Sequence, residues 1–308
     1  KRNMEGKIFG PVPSRRLGNS LGVDIIPYKT CTFDCVYCEL GKTTCRSVSR
    51  KNFYPASCFM KELEEYVPFK NVDCLTVTGS GEPTLYKGLD TLCKTLKDKT
   101  GLPLVLLTNA SLLGRPEVVK EILLFDSILP SLDAVTPEVF RKINRPHPSL
   151  KIENIIRGLK RLRERFRGKI FLEVLFVKGF NDRESELKAL KNAIEYIAPD
   201  RVDLNTVVRP PAEKKIFPVP ERYLDEVRSY MGDYARVIGT YCRKKIIEMN
   251  GNSLKELIKH RPMSMGELKN LTGKDKPWLE TALQELVKSG QIKKNRDFYV
   301  WTGDSCGP

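Results

Sequence analysis

The sequence predicts an α/β protein in which strands of a parallel sheet alternate with helices. Three observations support this prediction: six short apolar runs recur along the first two thirds of the chain, an amphipathic segment follows each run, and unusual polar residues come directly after the runs. Continuous apolar runs are typical of strands that helices cover on both faces. Six strand–helix units favour an open or partial (β/α)6 TIM-like barrel over a complete barrel of eight units.

The individual elements follow from the same patterns. The predicted strands are Gly22–Tyr28, Asp73–Thr78, Leu102–Thr108, Ser127–Leu132, Ile170–Val177 and Val202–Val207. The predicted helices are Met60–Val67, Leu85–Lys97, Pro116–Leu123, Ile152–Phe166, Arg183–Ile197 and Pro220–Met231. Because ligands of parallel α/β proteins bind where the carboxyl ends of the strands meet, we expect the site among the polar residues that follow the strands.

The pattern changes near residue 250. Three short helices are predicted at Ser253–His260, Ser264–Leu271 and Pro277–Ser289, and a hairpin follows at Gln291–Lys293 and Asp297–Trp301. Three helices and a small hairpin are typical of a winged-helix domain. We therefore expect a barrel domain over residues 1–249 and a small winged-helix-like domain over residues 250–308.

Charge and composition narrow the class of protein. The 308 residues include 53 Lys and Arg against 38 Asp and Glu, a net charge of +15, which favours a polyanionic partner such as nucleic acid. No stretch approaches the ~18 apolar residues that a membrane span needs, and no secretory signal precedes the first strand, so we expect a cytoplasmic protein without a membrane partner. Only two histidines are present, which leaves little material for a histidine-based zinc hydrolase.

A trio of cysteines follows the first predicted strand. Cys31, Cys35 and Cys38 form C-x3-C-x2-C with no histidine nearby. Three thiolates at this spacing can bind three corners of a [4Fe–4S] cluster and leave the fourth iron open. The alternative is a zinc knuckle that takes Cys45 or Cys58 as its fourth ligand. The six cysteines outside the trio are scattered, which leaves free or buried thiols and a second cluster as alternatives.

With Tyr37 before its last cysteine, this motif resembles that of the radical S-adenosylmethionine (SAM) superfamily. The resemblance covers roughly Phe9–Pro211. It implies a [4Fe–4S] cluster whose open iron binds SAM, and an electron donor such as ferredoxin or flavodoxin that drives cleavage of SAM to a 5′-deoxyadenosyl radical. The flanks Phe9–Gly18 and Asn205–Glu213 are similar to the wyosine-tRNA-synthase-like group of Fe–S oxidoreductases, whose best-known members act on a guanosine of tRNA.

The resemblance also implies cofactor-binding residues beyond Tyr37. Gly79, Ser80, Gly81 and Glu82 are similar to the GGE motif that holds the methionyl amino group, with Ser80 as a departure; a tight turn into a helix is the alternative. Asn109, Ser131 and Asp133 lie at or just past the ends of the third and fourth strands, where they would meet the ribose or the carboxylate of SAM unless they only cap helices. Asn205 in the sixth strand would contact adenine or the substrate.

Basic residues supply the candidate substrate contacts. Arg145 and Arg209 lie in proline-rich loops predicted at the rim, and Lys293, Lys294 and Arg296 lie on the predicted wing. The segment Lys151–Lys169 has eight basic and two acidic residues and is predicted to be a solvated helix face, with RNA contact as the alternative. We expect a monomeric radical SAM enzyme that modifies RNA, most simply tRNA. The alternatives are modification of a protein or peptide, and an Fe–S regulator that binds DNA.

Overall fold

The computed structural model describes residues 7–14, 16–238 and 251–302, with the backbone alone at 251–253. Its strands are β1 (Ile8–Ser14), β2 (Gly18–Asp24), β3 (Thr30–Cys31), β4 (Cys45–Arg46), β5 (Cys74–Thr78), β6 (Leu104–Thr108), β7 (Ser127–Pro130), β8 (Lys169–Phe176), β9 (Arg201–Thr206), β10 (Ala235–Val237), β11 (Met263–Ser264), β12 (Ile292–Asn295) and β13 (Phe298–Trp301). Its α-helices are α1 (Ala56–Leu63), α2 (Leu89–Thr100), α3 (Pro116–Ile122), α4 (Pro137–Ile143), α5 (Ile152–Arg165), α6 (Glu184–Ile197), α7 (Glu221–Met231), α8 (Gly251–His260), α9 (Met265–Thr272) and α10 (Lys276–Lys288).

An eight-stranded sheet with the order β1-β2-β5-β6-β7-β8-β9-β10 forms the centre of the fold. From β2 to β10 all neighbouring strands are parallel, and only β1 runs antiparallel to its neighbour. The six predicted strands are all present within this sheet. The predicted α/β class with a parallel sheet is therefore confirmed, and the arrangement is consistent with a partial barrel.

Two strands of the sheet escaped the sequence patterns. The strand β1 contains Pro11 and Pro13, and prolines argue against a central strand because they cannot donate to the ladder. Here β1 is an edge strand paired with β2 alone, which is the position that tolerates proline. The strand β10 has three residues, too few to show a pattern.

The core lies between the sheet and its helices. In β8 the residues Ile170, Leu172, Val174 and Phe176 are fully buried, and the residues between them are partly exposed. Successive side chains of a strand point to opposite faces, so the second face of the sheet is less covered. There a small apolar cluster of Cys74, Val105 and Leu129 lies on adjacent strands. The second face therefore has room for polar side chains nearer the carboxyl ends of the strands.

The C-terminal elements follow the predicted order of three helices and a hairpin, with the short strand β11 added. Their sheet has the order β11-β13-β12, and Ser264 and Glu267 form a capping box at the start of α9. We call residues 254–302 the C-terminal module. Its core packs against Val12 and Tyr28 of the barrel. The winged-helix assignment stays a prediction, and the expected boundary at 249/250 falls outside the described residues.

None of the helices in the described ranges combines the length and the apolar character that a bilayer crossing requires.

Candidate cofactor site

The three cysteine sulfurs of the motif each accept a hydrogen bond from a different part of the fold. The donors come from the loop before the motif, from the end of β6 and from the end of α4, which places the cysteine loop at the carboxyl ends of the strands. The pairs are Lys29 Nζ with Cys38 Sγ at 3.3 Å, Asn109 Nδ2 with Cys31 Sγ at 3.6 Å, and Asn144 Nδ2 with Cys35 Sγ at 3.5 Å. Such N–H donors stabilise thiolate ligands and set the electronic properties of the metal group that they hold.

Lys29 is a buried cation without a carboxylate partner. Its residue is 3% exposed, its φ is 59°, and its ammonium group contacts Cys38 Sγ and the carbonyl oxygen of Gly41. Among the residues that the structure describes, no Asp or Glu pairs with it. A buried charge is stable only when an opposite charge lies nearby. The environment of Cys38 therefore fits an anionic group, such as a cluster held by thiolates.

Burial shapes the acidity of the thiols. Burial, reinforced by the negative charge of Glu82, raises the pKa of Cys31 to about 12, and burial followed by the charge of Cys31 raises the pKa of Cys35 well above its ordinary value. These thiols are neutral at pH 7 unless a metal displaces their protons. Across the described ranges no three His, Cys, Asp or Glu side chains surround one ion position. In a [4Fe–4S] cube each thiolate binds a different iron, and three cysteines on one loop can supply three such ligands.

The glycine-glutamate loop, residues 79–83, lies directly on the cysteine loop. A Cβ added to Gly81 would lie 1.7 Å from the carbonyl oxygen of Thr30, and the amide of Glu82 donates to that oxygen at 3.1 Å. Ser80 donates from its amide and its hydroxyl to the carboxylate of Asp24, at 3.0 and 2.5 Å. Only glycine at position 81 permits this approach. The two hydrogen bonds from Ser80 to Asp24 hold the loop in place.

Glu82 is 1% exposed and most of its acceptor positions are occupied. Its Oε1 accepts from the amide and hydroxyl of Thr84 and from the hydroxyl of Thr108, and its Oε2 accepts from the amide of Asn109 at 2.7 Å. Burial raises the pKa of Glu82, and these hydrogen bonds oppose the rise. A carboxylate has about four acceptor sites in favourable directions, so only Oε2 retains room for a bound amino group. The carboxylate therefore also stabilises the fold.

Asp133 anchors the cysteine loop. Its carboxylate accepts from the hydroxyl of Tyr37, from Asn144 Nδ2 at 2.9 Å and from the amide of Leu175 at 3.0 Å. Burial raises the pKa of Asp133, and the hydrogen bonds from Tyr37 and Asn144 offset part of this rise. Because Asn144 also donates to Cys35, Asp133 fixes the orientation of that amide. In this structure Tyr37 and Asp133 bind each other, and their predicted contact with SAM stays a prediction.

The other predicted cofactor residues differ in what their side chains contact. Asn109 is engaged through Thr32 Oγ1 at 2.8 Å in addition to Cys31. Asn205 Nδ2 donates to Glu173 at 2.9 Å. The hydroxyl of Ser131 has no hydrogen-bond partner among the described residues, and Ser131 lies beside Asp133 at the end of β7. Of these three side chains, Ser131 has the most capacity for a ligand.

The predicted substrate residues occupy two kinds of position. Arg145 is 39% exposed and pairs with Glu213 at 2.7 Å. Arg209 is only 10% exposed, so it is not the exposed rim residue that the sequence suggested. It contacts Glu39 Oε2 at 3.2 Å, Glu267 Oε1 at 3.0 Å and a backbone carbonyl of the C-terminal module, and this geometry favours a structural contact. The wing residues are exposed as expected: Lys293, Lys294 and Arg296.

Sequence reasoning missed several residues of the site. They are Asp24, Lys29, Thr32, Asn144, Glu173 and His260. Lys29 carried one usable signal, since it lies two residues before the first cysteine. The others gain their roles from partners that are distant in sequence, and no local pattern marks them.

Comparison with known proteins decides the family. Residues 25–190 match the family described as Radical SAM superfamily. The chain belongs to the radical SAM superfamily. It is also 34% identical over 247 residues to a UPF0026 protein of Methanocaldococcus jannaschii, covering 79% of this chain and 76% of the relative, and thus belongs to the UPF0026 family. The predicted resemblance is confirmed. Radical SAM proteins are enzymes that use a [4Fe–4S] cluster and SAM, so the predicted enzyme class and cofactors are confirmed as well.

A second relative is longer than this chain. A protein of Brachyspira hyodysenteriae named GTPase Obg is 32% identical over 295 residues, which cover 94% of this chain but 43% of the relative. The chain thus spans less than half of that protein. Gly41-Lys42-Thr43 resembles the end of a phosphate-binding loop of the form G-x-x-x-x-G-K-[ST], but Val36 stands where that loop requires its first glycine. The radical SAM sequence therefore does not explain the GTPase name.

Two solved structures share the fold. The enzyme SuiB of Streptococcus suis, bound to the precursor peptide SuiA, superposes with a TM-score of 0.54 at 17% identity, covering 71% of this chain and 48% of SuiB. A structure of TYW1 with a lysine-pyruvate adduct superposes with a TM-score of 0.51 at 16% identity, covering 69% of this chain and 72% of that one. At these identities the likeness concerns the fold of the radical SAM domain alone.

Proposed function

We propose that Cys31, Cys35 and Cys38 hold the [4Fe–4S] cluster and that this chain cleaves SAM reductively. The observation that carries the proposal is the set of three N–H donors, each aimed at a different cysteine sulfur, together with the buried ammonium of Lys29, which pairs with no carboxylate among the described residues. A cluster held by these three thiolates would supply one electron, taken from an external reductant such as ferredoxin or flavodoxin, for reductive cleavage of the C–S bond of SAM to methionine and a 5′-deoxyadenosyl radical.

The chain's own residues have separable roles in this proposal. Gly81 lets the glycine-glutamate loop lie against the cysteine loop, so that backbone groups of residues 79–82 can reach a ligand beside the cluster. The remaining acceptor position on Glu82 Oε2 and the hydroxyl of Ser131 are the side-chain groups proposed to bind SAM. Asp133 and Asn144 position Cys35 through their hydrogen bonds.

Anaerobic reconstitution of single Cys→Ala variants tests the assignment. Loss of Cys31, Cys35 or Cys38 should abolish the cluster, measured as iron per chain and by paramagnetic resonance of the reduced protein, and should abolish formation of 5′-deoxyadenosine. Cys45→Ala is the matched control: Cys45 is exposed and lies in β4 beside the motif, and this variant should keep the cluster. A full cluster in the triple variant would overturn the assignment, and about eight irons per chain would support a second cluster.

We further propose RNA as the substrate, with tRNA first among candidates. Support comes from the net charge of +15, the wyosine-like flanks, and the exposed cations Lys293, Lys294 and Arg296 on the C-terminal module. Charge reversal of Lys293 and Lys294 should weaken tRNA binding and reduce its dependence on salt, because each lost phosphate contact lowers the slope of log K against log salt by about 0.7 to 0.9. Unchanged binding would remove the wing from the interface.

A peptide or protein substrate is the second candidate. The helix α10 exposes two large apolar side chains, Trp278 at 39% and Val287 at 41%, and a cleft of about 770 Å³ runs beside Trp278. The fold is shared with an enzyme whose structure contains a precursor peptide. Two results together would favour this candidate over RNA. The chain would show no affinity for tRNA at any salt concentration, and the wild-type chain would capture a protein that Trp278→Ala does not.

A further inference from the structure

An open cavity of about 460 Å³ lies between the loop that follows β6 and the beginning of α5. Arg115 stands on one wall, and Lys151, Arg157 and Arg161 stand on the other. The hydroxyls of Ser111 and Ser149 complete the polar lining. The cavity belongs to the same end of the sheet as the cysteine loop, because the wall with Ser111 comes directly after the carboxyl end of β6.

The four cations of this cavity are not neutralised. Among the described residues none of them pairs with a carboxylate, and the cavity lining contains no Asp or Glu. Arg157 donates to the side-chain oxygen of Asn154 at 2.5 Å, and Arg161 donates to the carbonyl oxygen of Gly114 at 3.4 Å, so both partners are neutral. Like charges that converge on one cavity repel each other, and a bound anion relieves that repulsion.

Other cations of the same segment are engaged elsewhere. Arg163 in α5 binds Asp200 at 2.6 Å, Lys169 binds Asp200 at 3.1 Å, and Lys160 lies over the ring of Tyr196. No local sequence pattern separates these residues from the ones that line the cavity. The solvated face predicted for Lys151–Lys169 therefore divides into paired cations and a group that converges on the cavity.

Hydrogen bonds join both walls of the cavity to the cysteine loop. The hydroxyl of Ser111 lies 2.7 Å from the hydroxyl of Thr32, and the amide of His147, two residues before Ser149, donates to the carbonyl oxygen of Thr32 at 2.8 Å. Thr32 follows Cys31 directly in the sequence. Both walls of the cavity are therefore joined to the residue that follows a cysteine of the motif.

We propose that this cavity binds a phosphate group and thereby holds the substrate beside the site of SAM cleavage. Guanidinium groups bind phosphate through paired N–H donors, and the ammonium group of Lys151 adds a further charged donor. The phosphate belongs either to an RNA backbone or to a small phosphorylated molecule. The inference rests on the proposed function for its role in the reaction, but the binding itself is measured without that reaction.

The test compares two charge-reversal pairs in the full, reconstituted chain. Arg157→Glu with Arg161→Glu alters the cavity. Arg165→Glu with Arg167→Glu is the matched control, because these exposed arginines carry the same charge, lie at the other end of the same segment and do not line the cavity. A short single-stranded RNA is titrated across a salt series, and inorganic pyrophosphate is titrated separately. Iron per chain is measured in every variant, so loss of the cluster is recognised apart from loss of phosphate binding.

The cavity pair should weaken RNA binding at least tenfold and reduce the salt slope by about 1.4, which corresponds to two contacts on a single strand. The control pair should change affinity less than threefold. If pyrophosphate binding depends on the cavity pair and RNA does not bind, the ligand is a small phosphorylated molecule and the RNA proposal fails while the cavity stands. Equal effects of the two pairs, or no effect of the cavity pair on either probe, would overturn the inference.

Discussion

The carboxylate of Asp24 lies 3.1 Å from Nδ1 of His260, and this contact joins the glycine-glutamate loop to the C-terminal module. His260 is almost fully buried and stacks on the ring of Phe9 with centroids 3.9 Å apart. Asp24 also accepts two hydrogen bonds from Ser80. One buried carboxylate of the barrel therefore holds both the loop proposed to bind SAM and a helix of the module.

The first prediction concerns the stability that this pair provides. His260→Ala should lower the free energy of unfolding by about 3 kcal/mol, because it removes the side-chain partner of a buried carboxylate and the ring that stacks on Phe9. In a double-mutant cycle with Asp24→Asn, we expect a coupling of roughly 1–3 kcal/mol from urea unfolding. The other histidine provides a control, since His147 is half-buried and its ring bonds to Ser149 alone among the residues that the structure describes. Additive effects of the two changes would contradict a direct interaction.

The second prediction is a pH dependence. Burial alone would raise the pKa of Asp24, but the hydrogen bond and charge of His260, with the hydroxyl of Ser80, outweigh burial and hold this pKa below 3.8. A carboxyl group with a lowered folded-state pKa stabilises the fold above its unfolded-state pKa, and this contribution is lost as the pH falls through the folded-state value. The stability advantage of the wild type over Asp24→Asn should therefore shrink below pH 3.8. Unfolding free energies measured downward from about pH 5 check this, and an advantage that grows in acid would contradict it.

The third prediction concerns Gly81. Gly81→Ala places a methyl group against the carbonyl of Thr30, so the glycine-glutamate loop and the cysteine loop must separate. We expect a loss of about 3 kcal/mol or more in stability, together with a lower iron content after reconstitution. Gly266→Ala is the control, because a Cβ at Gly266 meets nothing within 4 Å and alanine favours α9 by roughly 0.5–1 kcal/mol. Thermal unfolding that ranks the two variants equally would refute the close approach.

The fourth prediction concerns the hydrogen bonds to sulfur. Lys29→Met and Asn144→Leu remove donors to Cys38 and Cys35. Such donors stabilise the more negative, reduced cluster, so each variant should have a lower reduction potential. A hydrogen bond of about 1 kcal/mol corresponds to about 40 mV for one electron. A redox titration followed by paramagnetic resonance measures the shift. Lys42→Met, an exposed cation of the same loop paired with Glu213, should change the potential little.

Part of the fold and site could be predicted because the signals are local. The six parallel strands are apolar runs, and their boundaries agree with the structure to within a few residues except at the first strand, which ends at Asp24 instead of continuing to Tyr28. Ile25 and Ile26 are fully buried although they lie beyond that strand. The apolar run therefore continues past the end of the strand, and the predicted end was placed too late. The cysteine trio was visible for the same reason, since its spacing is contained in eight residues.

The missed features depend on contacts that sequence separation hides. From its own loop Arg209 was predicted to lie on the rim. Its partner Glu267 belongs to the C-terminal module and is distant from it in sequence. Glu82 was recognised by its motif, but of the four hydrogen bonds that occupy it, the two from Thr108 and Asn109 at the end of β6 come from residues distant in sequence. Polar side chains take their roles from whichever partners the fold brings to them, and apolar periodicity carries no information about those partners.

The contacts of Arg209 make any movement of the C-terminal module costly for the cysteine loop. Its guanidinium binds Glu39, which follows Cys38 directly, and Glu267, which belongs to the capping box of α9. Displacing the module would take Glu267 and the carbonyl oxygen of Pro262 away from Arg209, and rearranging the cysteine loop would take Glu39 away from the same guanidinium. Linkage of this kind is reciprocal. A molecule that binds the module more tightly when the contacts of Arg209 are intact therefore stabilises the cysteine loop. By the same reciprocity, a ligand that occupies the cysteine loop raises the affinity of the module for that molecule by an equal factor.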